Sequence, residues 1–320
     1  MDTNFSRRQL IQAGAALGAA CLAEFGDAEP WLQTPGMNSE EIAAIDQGIG
    51  KRGNYNEGLG THVVQFPRND LKVTLKGEAV PVSLGFGGWA AFRKTLDGES
   101  LMSISENVLL GEEVNPFIDA ALANGFEVGS VHNHFFYEDP RIFFVYLEGT
   151  GGPRELAQRY AKAIAVTNIA PIRQPRQGPP AKTARDFFNV GALDRIVGRP
   201  GAVNGLALKF TVGRADLRVR EMRAEVNSSL GVNTWCSFVG TSEAATVAGD
   251  VAMLAHQVDP VLRLLRAGGF EICALHTHML SEQPRILFAH FLGRGKAEDL
   301  AKTFRLVLDL LAAKAGSGTH

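Results

Sequence analysis

Cysteine is scarce in this chain, three in 320 residues, and neither sign of charge is in excess. Lys plus Arg total 32 against 34 for Asp plus Glu, so no field favours a nucleic-acid backbone or an acidic membrane. Beyond Ala23 there is no apolar run long enough to cross a bilayer as a helix. If Cys21 is removed or lipidated, only Cys236 and Cys273 are left to form a disulfide, and they can do so only if their strands are neighbours. What is present is a composition 45% apolar and 21% charged, that of a globular protein long enough for two domains.

Residues 1–30 read as an export signal rather than part of the fold. Ser6-Arg7-Arg8 precedes Gln9-Leu10-Ile11 and a small-residue apolar run from Ala13 to Ala23, a twin-arginine pattern. Cys21, after Gly18-Ala19-Ala20, stands where a lipid anchor attaches, without the leucine usual three residues earlier. The mature protein is expected in the periplasm or anchored on the outer side of the membrane.

The rest of the chain is one unit written twice. Gly125 to Gly149, GFEVGSVHNHFFYEDPRIFFVYLEG, aligns without gaps to Gly269 to Gly293, GFEICALHTHMLSEQPRILFAHFLG. Upstream, Asn115-Pro116 matches Asp259-Pro260, Trp89 and Phe92 match Trp235 and Phe238, and Asp46, Gly50, Gly53 and Asn56 match Asp194, Gly198, Gly201 and Asn204. A tandem duplication of roughly 146 residues is too long for a solenoid repeat. The boundaries are set at 37–167 for the first repeat, 168–183 for a Pro-rich linker and 184–315 for the second.

Each copy predicts an amphipathic helix (Ser39 to Gly48; Ala184 to Val197), then strands, in the first copy near 61–66, 71–75, 82–92 and 100–110. A second helix should begin at the Asn-Pro or Asp-Pro pair, with Pro in its first turn. A hairpin follows, then a closing helix (Pro153 to Ala165; Ala297 to Lys314). The fold class is α+β, helices on antiparallel sheet, with the copies packed as an internal pseudo-dimer that buries the hairpins.

The candidate chemistry lies in the second hairpin. Side chains alternate along a strand, so His276 and His278 point the same way. A three-residue loop at Glu282-Gln283-Pro284 sets His276 opposite His290, and three imidazoles meet on one face. Three convergent histidines suit a divalent ion, zinc foremost, that keeps a position open for substrate. The competing reading, histidines placed for packing, fits poorly in segments this apolar. The first copy has His132 and His134 but Tyr146 in the third place, a poor ligand unless ionised. That half is therefore read as a vestigial or second, weaker site that also includes Glu138. Glu282 is the candidate proton carrier, and Arg285 the anchor of its turn.

Through the blocks HNHFFYEDPRIFF and HTHMLSEQPRILFAHFLG and the PRNDL stretch at Pro67, the chain resembles the LppY/LpqO family of exported bacterial proteins, a duplicated domain without settled function. Within the hairpin, the His-x-His pair and third His on the next strand are also similar to α-acetolactate decarboxylase. That likeness implies zinc on His276, His278 and His290 with Glu282 in the acidic position; the spacing differs by one residue and the glycines before the third His are missing. The expectation is an exported metal-dependent enzyme, decarboxylase-like or hydrolase-like, acting on a small oxygenated substrate. The alternative is a non-enzymatic periplasmic or lipid-anchored metal- or ligand-binding protein.

Overall fold

The computed structural model describes residues 33–171 and 181–313. The expected export signal, with Cys21, and most of the Pro-rich linker lie outside the described residues. Between them the chain folds twice into the same unit: a six-stranded antiparallel sheet with helices on one face.

In the first repeat, α1 (Ser39–Ile49) leads into β1 (Asn54–Asn56), β2 (Thr61–Pro67), β3 (Val73–Leu75), β4 (Glu78–Val80), β5 (Gly87–Lys94) and β6 (Leu101–Leu110). Then come α2 (Gly111–Ala123), β7 (Glu127–His132), β8 (Glu138–Asp139), β9 (Ile142–Gly151) and α3 (Pro153–Ile164). The second repeat follows suit with α4 (Val190–Val197), β10 (Ala202–Asn204), β11 (Ala207–Gly213), β12 (Val219–Glu221), β13 (Ala224–Val226), β14 (Asn233–Gly240) and β15 (Ala245–Met253). It closes with α5 (Val258–Ala267), β16 (Glu271–His276), β17 (Leu287–Gly295) and α6 (Ala297–Ala312). The sheet orders, β1-β2-β5-β6-β9-β7 and β10-β11-β14-β15-β17-β16, are the same order repeated.

Strand alternation builds the layers. From β6, Leu101 and Leu109 join Phe117, Leu156 and Tyr160 in a core beneath the first repeat's helices, and Phe210, Phe238 and Phe291 do the same with Phe304 and Leu308 in the second. The other face of each sheet is apolar too: Ala91, Ile104 and Tyr146 pack with Val226, Ala252 and Phe288, and Val108 and Phe144 with Ala248 and Leu292. Both strand faces are thus dehydrated, which is why these strands read as continuous apolar runs. The result is an α+β tandem duplication, layered helix, sheet, sheet, helix, in which each copy covers the other's inner sheet face. No helix among the described residues is long and apolar enough to cross a membrane.

Several local expectations shift. Residues 82–84 form a 3-10 turn and the strand begins only at Gly87. The second helix of the first repeat starts at Gly111, placing Pro116 inside it, whereas in the second repeat a 3-10 turn over Ala255–Gln257 precedes α5 and Pro260 does fall in the first turn. Glu113 of α2 accepts hydrogen bonds from Arg68 at 2.8 Å and from the backbone of Leu110 and Asn168 at 2.8 and 2.7 Å. Cys236 and Cys273 are both free and buried, on strands that are not neighbours.

Candidate metal centre

The hairpin ladder ends sooner than a three-residue loop requires. His276 pairs with Phe288 and Ala274 with His290, and the chain from 277 to 286 forms a long connection. Met279, Glu282 and Ile286 turn inward there, and Gln283 exchanges backbone hydrogen bonds with Arg220 at 2.9 Å. That docking takes the residues a tight turn would have used. The register moves by two residues, which preserves parity, so His290 still lies on the face that carries His276. In the first repeat His132 likewise pairs with Phe144 and Ser130 with Tyr146.

The inner faces of the two sheets bring five of the chain's eight histidines together. His132 stacks on His276 with ring centroids 3.7 Å apart, His134 on His290 at 3.6 Å, and Tyr146 on His278 at 3.9 Å. These pairings carry the duplication into space: His132 matches His276, His134 matches His278, and Tyr146 matches His290. A pseudo-twofold axis therefore passes through the His132–His276 stack. Phe144 and Phe288 back the cluster equivalently, at 3.2 Å from His134 and 3.4 Å from His278.

The groups able to hold a metal are not those of one hairpin. His132, His134 and His290 offer ligand atoms within 4.8 Å of one another, and so do Asp250, His276 and His278. His290, expected to complete its own repeat's pair, meets the pair of the other repeat. It remains close to His276, at 4.7 Å between ring centroids. Tyr146 stands in the symmetry-related place, with its hydroxyl turned to Glu106.

Two carboxylates that sequence reasoning missed complete the centre. Glu106 on β6 and Asp250 on β15 occupy matching positions, each beside the tryptophan of the neighbouring strand: Trp89 pairs with Glu106 and Trp235 with Asp250. Glu106 Oε1 lies 3.1 Å from His134 Nε2 and its Oε2 accepts from Trp89 Nε1 at 2.9 Å. Asp250 Oδ2 lies 3.5 Å from His278 Nε2 and 3.9 Å from His290 Nε2. Their signal was available: an acidic residue at the middle of a strand, at matching positions in both copies. Glu282 lies elsewhere. Its carboxylate accepts from the Ile286 backbone at 2.9 Å and from Arg285 at 3.1 Å, inside the connection. Arg285 also donates to the Met279 and Leu280 carbonyls, at 3.1 and 3.0 Å, and so ties the turn together. Glu138 forms the equivalent ion pair with Arg141 at 3.4 Å and belongs to neither group of potential metal ligands.

Burial sets the protonation states. It pushes His134, His276, His278 and His290 well below the usual histidine range, and His132 down to about 4 against the opposing pull of Glu106. All five rings are therefore neutral near pH 7, the form that binds metal. Burial likewise raises Glu106, and raises Asp250 well above the carboxylate range with Glu106 adding to it. His290 Nδ1 faces the Gly249 carbonyl at 3.2 Å and His132 Nδ1 faces Ser130 Oγ at 3.3 Å, each turning Nε2 inward. The remaining eight imidazole nitrogens, the two Nε2 atoms and both nitrogens of His134, His276 and His278, are buried without a hydrogen-bond partner. The backbones of Gly85 and Gly231 approach His134 and His278 and favour protonation slightly, short of hydrogen-bonding geometry. Native interiors rarely leave one such atom unsatisfied, so this donor set fits nitrogen-preferring divalent ions.

A cavity of 390 Å³ reaches the centre, lined by Glu106, His134, Tyr146, Asp250 and His278. Trp89 and Trp235, the matched tryptophans of the two copies, form part of its wall. Lys209 also lines it, its Nζ 4.3 Å above the Trp235 ring.

The duplication seen in sheet order and site has a counterpart among known families: the family model described as Domain of Unknown Function (DUF1259) matches residues 43–166 and again 191–310. The chain belongs to the DUF1259 family. No curated protein matches it. Both DUF1259 matches contain a His-x-His pair, and the second contains His290, so the centre described above is formed between two copies of one family domain.

Proposed function

We propose that the protein is an exported metal-dependent enzyme, a hydrolase or lyase acting on a small oxygen-bearing substrate. The observation that carries this reading is the cluster of neutral imidazoles with eight buried nitrogens lacking a hydrogen-bond partner, two of whose rings, His134 and His278, line a cavity of small-molecule size. The primary ligands are His132, His134 and His290, with zinc the ion best suited to three nitrogen donors. A bound divalent ion would supply Lewis-acid polarisation of a substrate oxygen or a lowered pKa for a bound water.

The chain's own residues account for the rest. Glu106, biased by burial toward the protonated form, borders the cavity beside the imidazoles and is placed to hold or deliver a proton, and Asp250 lines the same cavity. Lys209 gives the same cavity a cation facing any oxyanion that forms there. The sheets and the Phe144 and Phe288 rings keep bulk water from the far side of the centre. Export rests on the Arg7-Arg8 pattern and on the likeness to LppY/LpqO proteins.

Elemental analysis of protein purified from its native host, followed by a substrate panel on apo and metal-loaded forms, tests the proposal. Stoichiometric metal and turnover only in the loaded form are expected. Protein that stays metal-free under every loading condition sinks the reading. Tight metal binding without turnover of any ester, hydroxy acid or keto acid assigns the centre to a non-enzymatic binding protein.

A further inference from the structure

We infer that the cluster holds two divalent cations side by side, the first on His132, His134 and His290 and the second on His276, His278 and Asp250. The inference rests on the metal-dependent reading above and goes further, from one ion to a pair.

The donor inventory requires it. One ion at the first group takes one nitrogen each from His132, His134 and His290. Both nitrogens of His276 and both of His278 then remain buried without a partner, as does Asp250 Oδ1. His278 and Asp250 are 3% and 2% exposed, so water offers little relief. Each unsatisfied buried polar atom costs on the order of 1–3 kcal/mol, and one ligand atom from each of His276, His278 and Asp250 lies within 4.8 Å of the other two. A cation there satisfies one nitrogen of each imidazole and a carboxylate oxygen of Asp250 together.

The duplication explains why there are two places. A pseudo-twofold axis through His132 and His276 turns any site built on His134 and His290 into one built on His278 and Tyr146. Tyr146 is a poor ligand as a phenol, and its hydroxyl is turned to Glu106. Asp250 supplies the missing donor from the adjacent strand, where it pairs with His290. Its Oδ2 stands 3.5 Å from a ligand of the second group, His278 Nε2, and 3.9 Å from a ligand of the first, His290 Nε2. A carboxylate between one ligand of each group is placed as a bridge, as in paired-ion sites that clamp both the attacking and the leaving oxygen of a displacement. Of the two reactions left open above, this arrangement suits hydrolysis.

The test uses the full chain, stripped with chelator and titrated with Zn(II) and then Mn(II), with bound metal counted and the Mn(II)-loaded protein examined by electron paramagnetic resonance. About two equivalents and an exchange-coupled Mn(II) spectrum are expected, as is a drop to about one equivalent with loss of coupling in either His134→Gln or His278→Gln. The wild-type result alone is decisive, so a variant that fails to fold does not rescue or sink the idea. One equivalent in the wild type, or two without coupling, overturns the pair and leaves the single-ion reading standing. No bound metal overturns both.

Discussion

His134 of the first repeat stacks on His290 of the second with 3.6 Å between ring centroids. Because the centre spans the repeats, a ligand lost from either half should disable it. His134→Ala and His290→Ala are each expected to weaken metal binding by more than the ~10–100-fold typical of losing a group that merely supports a ligand. Competition titration against a chromogenic chelator measures this. If His134→Ala binds metal as tightly as wild type, the second repeat holds its metal alone and the interfacial assignment fails.

The closeness of the repeats also makes a prediction at a glycine. Gly129 sits at the register shift in β7, and a Cβ there would collide with the His278 carbonyl oxygen and approach the His278 carbonyl carbon at 3.1 Å. Backbone cannot swing aside as a flexible side chain can, so Gly129→Ala should push the second hairpin off the first. We expect a loss of about 1–3 kcal/mol in denaturant unfolding together with weaker metal binding. A variant as stable as wild type would show that the hairpins yield without cost.

Much of this was legible in the chain before folding, and the limits have physical causes. The duplication, the α+β class and the approach of His276 and His290 follow from pattern and parity, which survive a shift of two residues. The register itself was not legible, because Met279, Glu282 and Ile286 are drawn inward by tertiary packing that a hairpin rule cannot contain. Nor was the exchange of His290 to the other repeat's pair: strand periodicity fixes which face a side chain takes, not what covers that face. Glu106 and Asp250 were concealed because they lie far in sequence from the hairpin histidines, although their matching positions in the two copies marked them. Glu282 was misleading because an acidic residue in a turn next to histidines resembles a catalytic group, whereas its oxygens hold the Ile286 backbone and Arg285.

A second acidic group lies between the repeats. Glu148 is fully buried, and burial followed by the nearby Glu221, with Glu127 and Glu282 adding to it, pushes its carboxyl up to about 8 despite the hydrogen bond it accepts from the Leu280 backbone at 3.0 Å. With the folded-state value raised above the unfolded one, the folded protein binds the extra proton. Its stability should therefore fall as pH rises from about 4.5 toward 8, by an amount on the order of a kcal/mol or more, and level off above. Glu148→Gln keeps an acceptor for Leu280 and removes the charge. It should flatten that part of the pH profile and raise stability at pH 8.5 relative to wild type, as followed by urea unfolding across pH. An unchanged slope would assign the pH dependence to other groups.

Lys209 breaks the symmetry of the cavity, since the matching position in the first repeat is Val63. It makes no ion pair or hydrogen bond among the described residues; its ammonium lies over Trp235, and burial lowers its pKa while Glu106 and Asp250 oppose that shift. A half-buried ammonium with no direct ion-pair partner costs stability, so its presence beside the imidazoles is better explained by an anionic group that enters the cavity. Lys209→Met preserves most of the stem and should leave stability equal or higher. One charge-assisted hydrogen bond is worth ~1.5–3 kcal/mol, so binding of a small chelating dianion such as oxalate to the metal-loaded protein should weaken by about 10-fold or more, with metal affinity little altered. Calorimetric titration of oxalate into wild type and variant separates the two effects. Equal oxalate affinity in both would mean that Lys209 serves only to balance Glu106 and Asp250, and that the cavity's preference for anions comes from the metal alone.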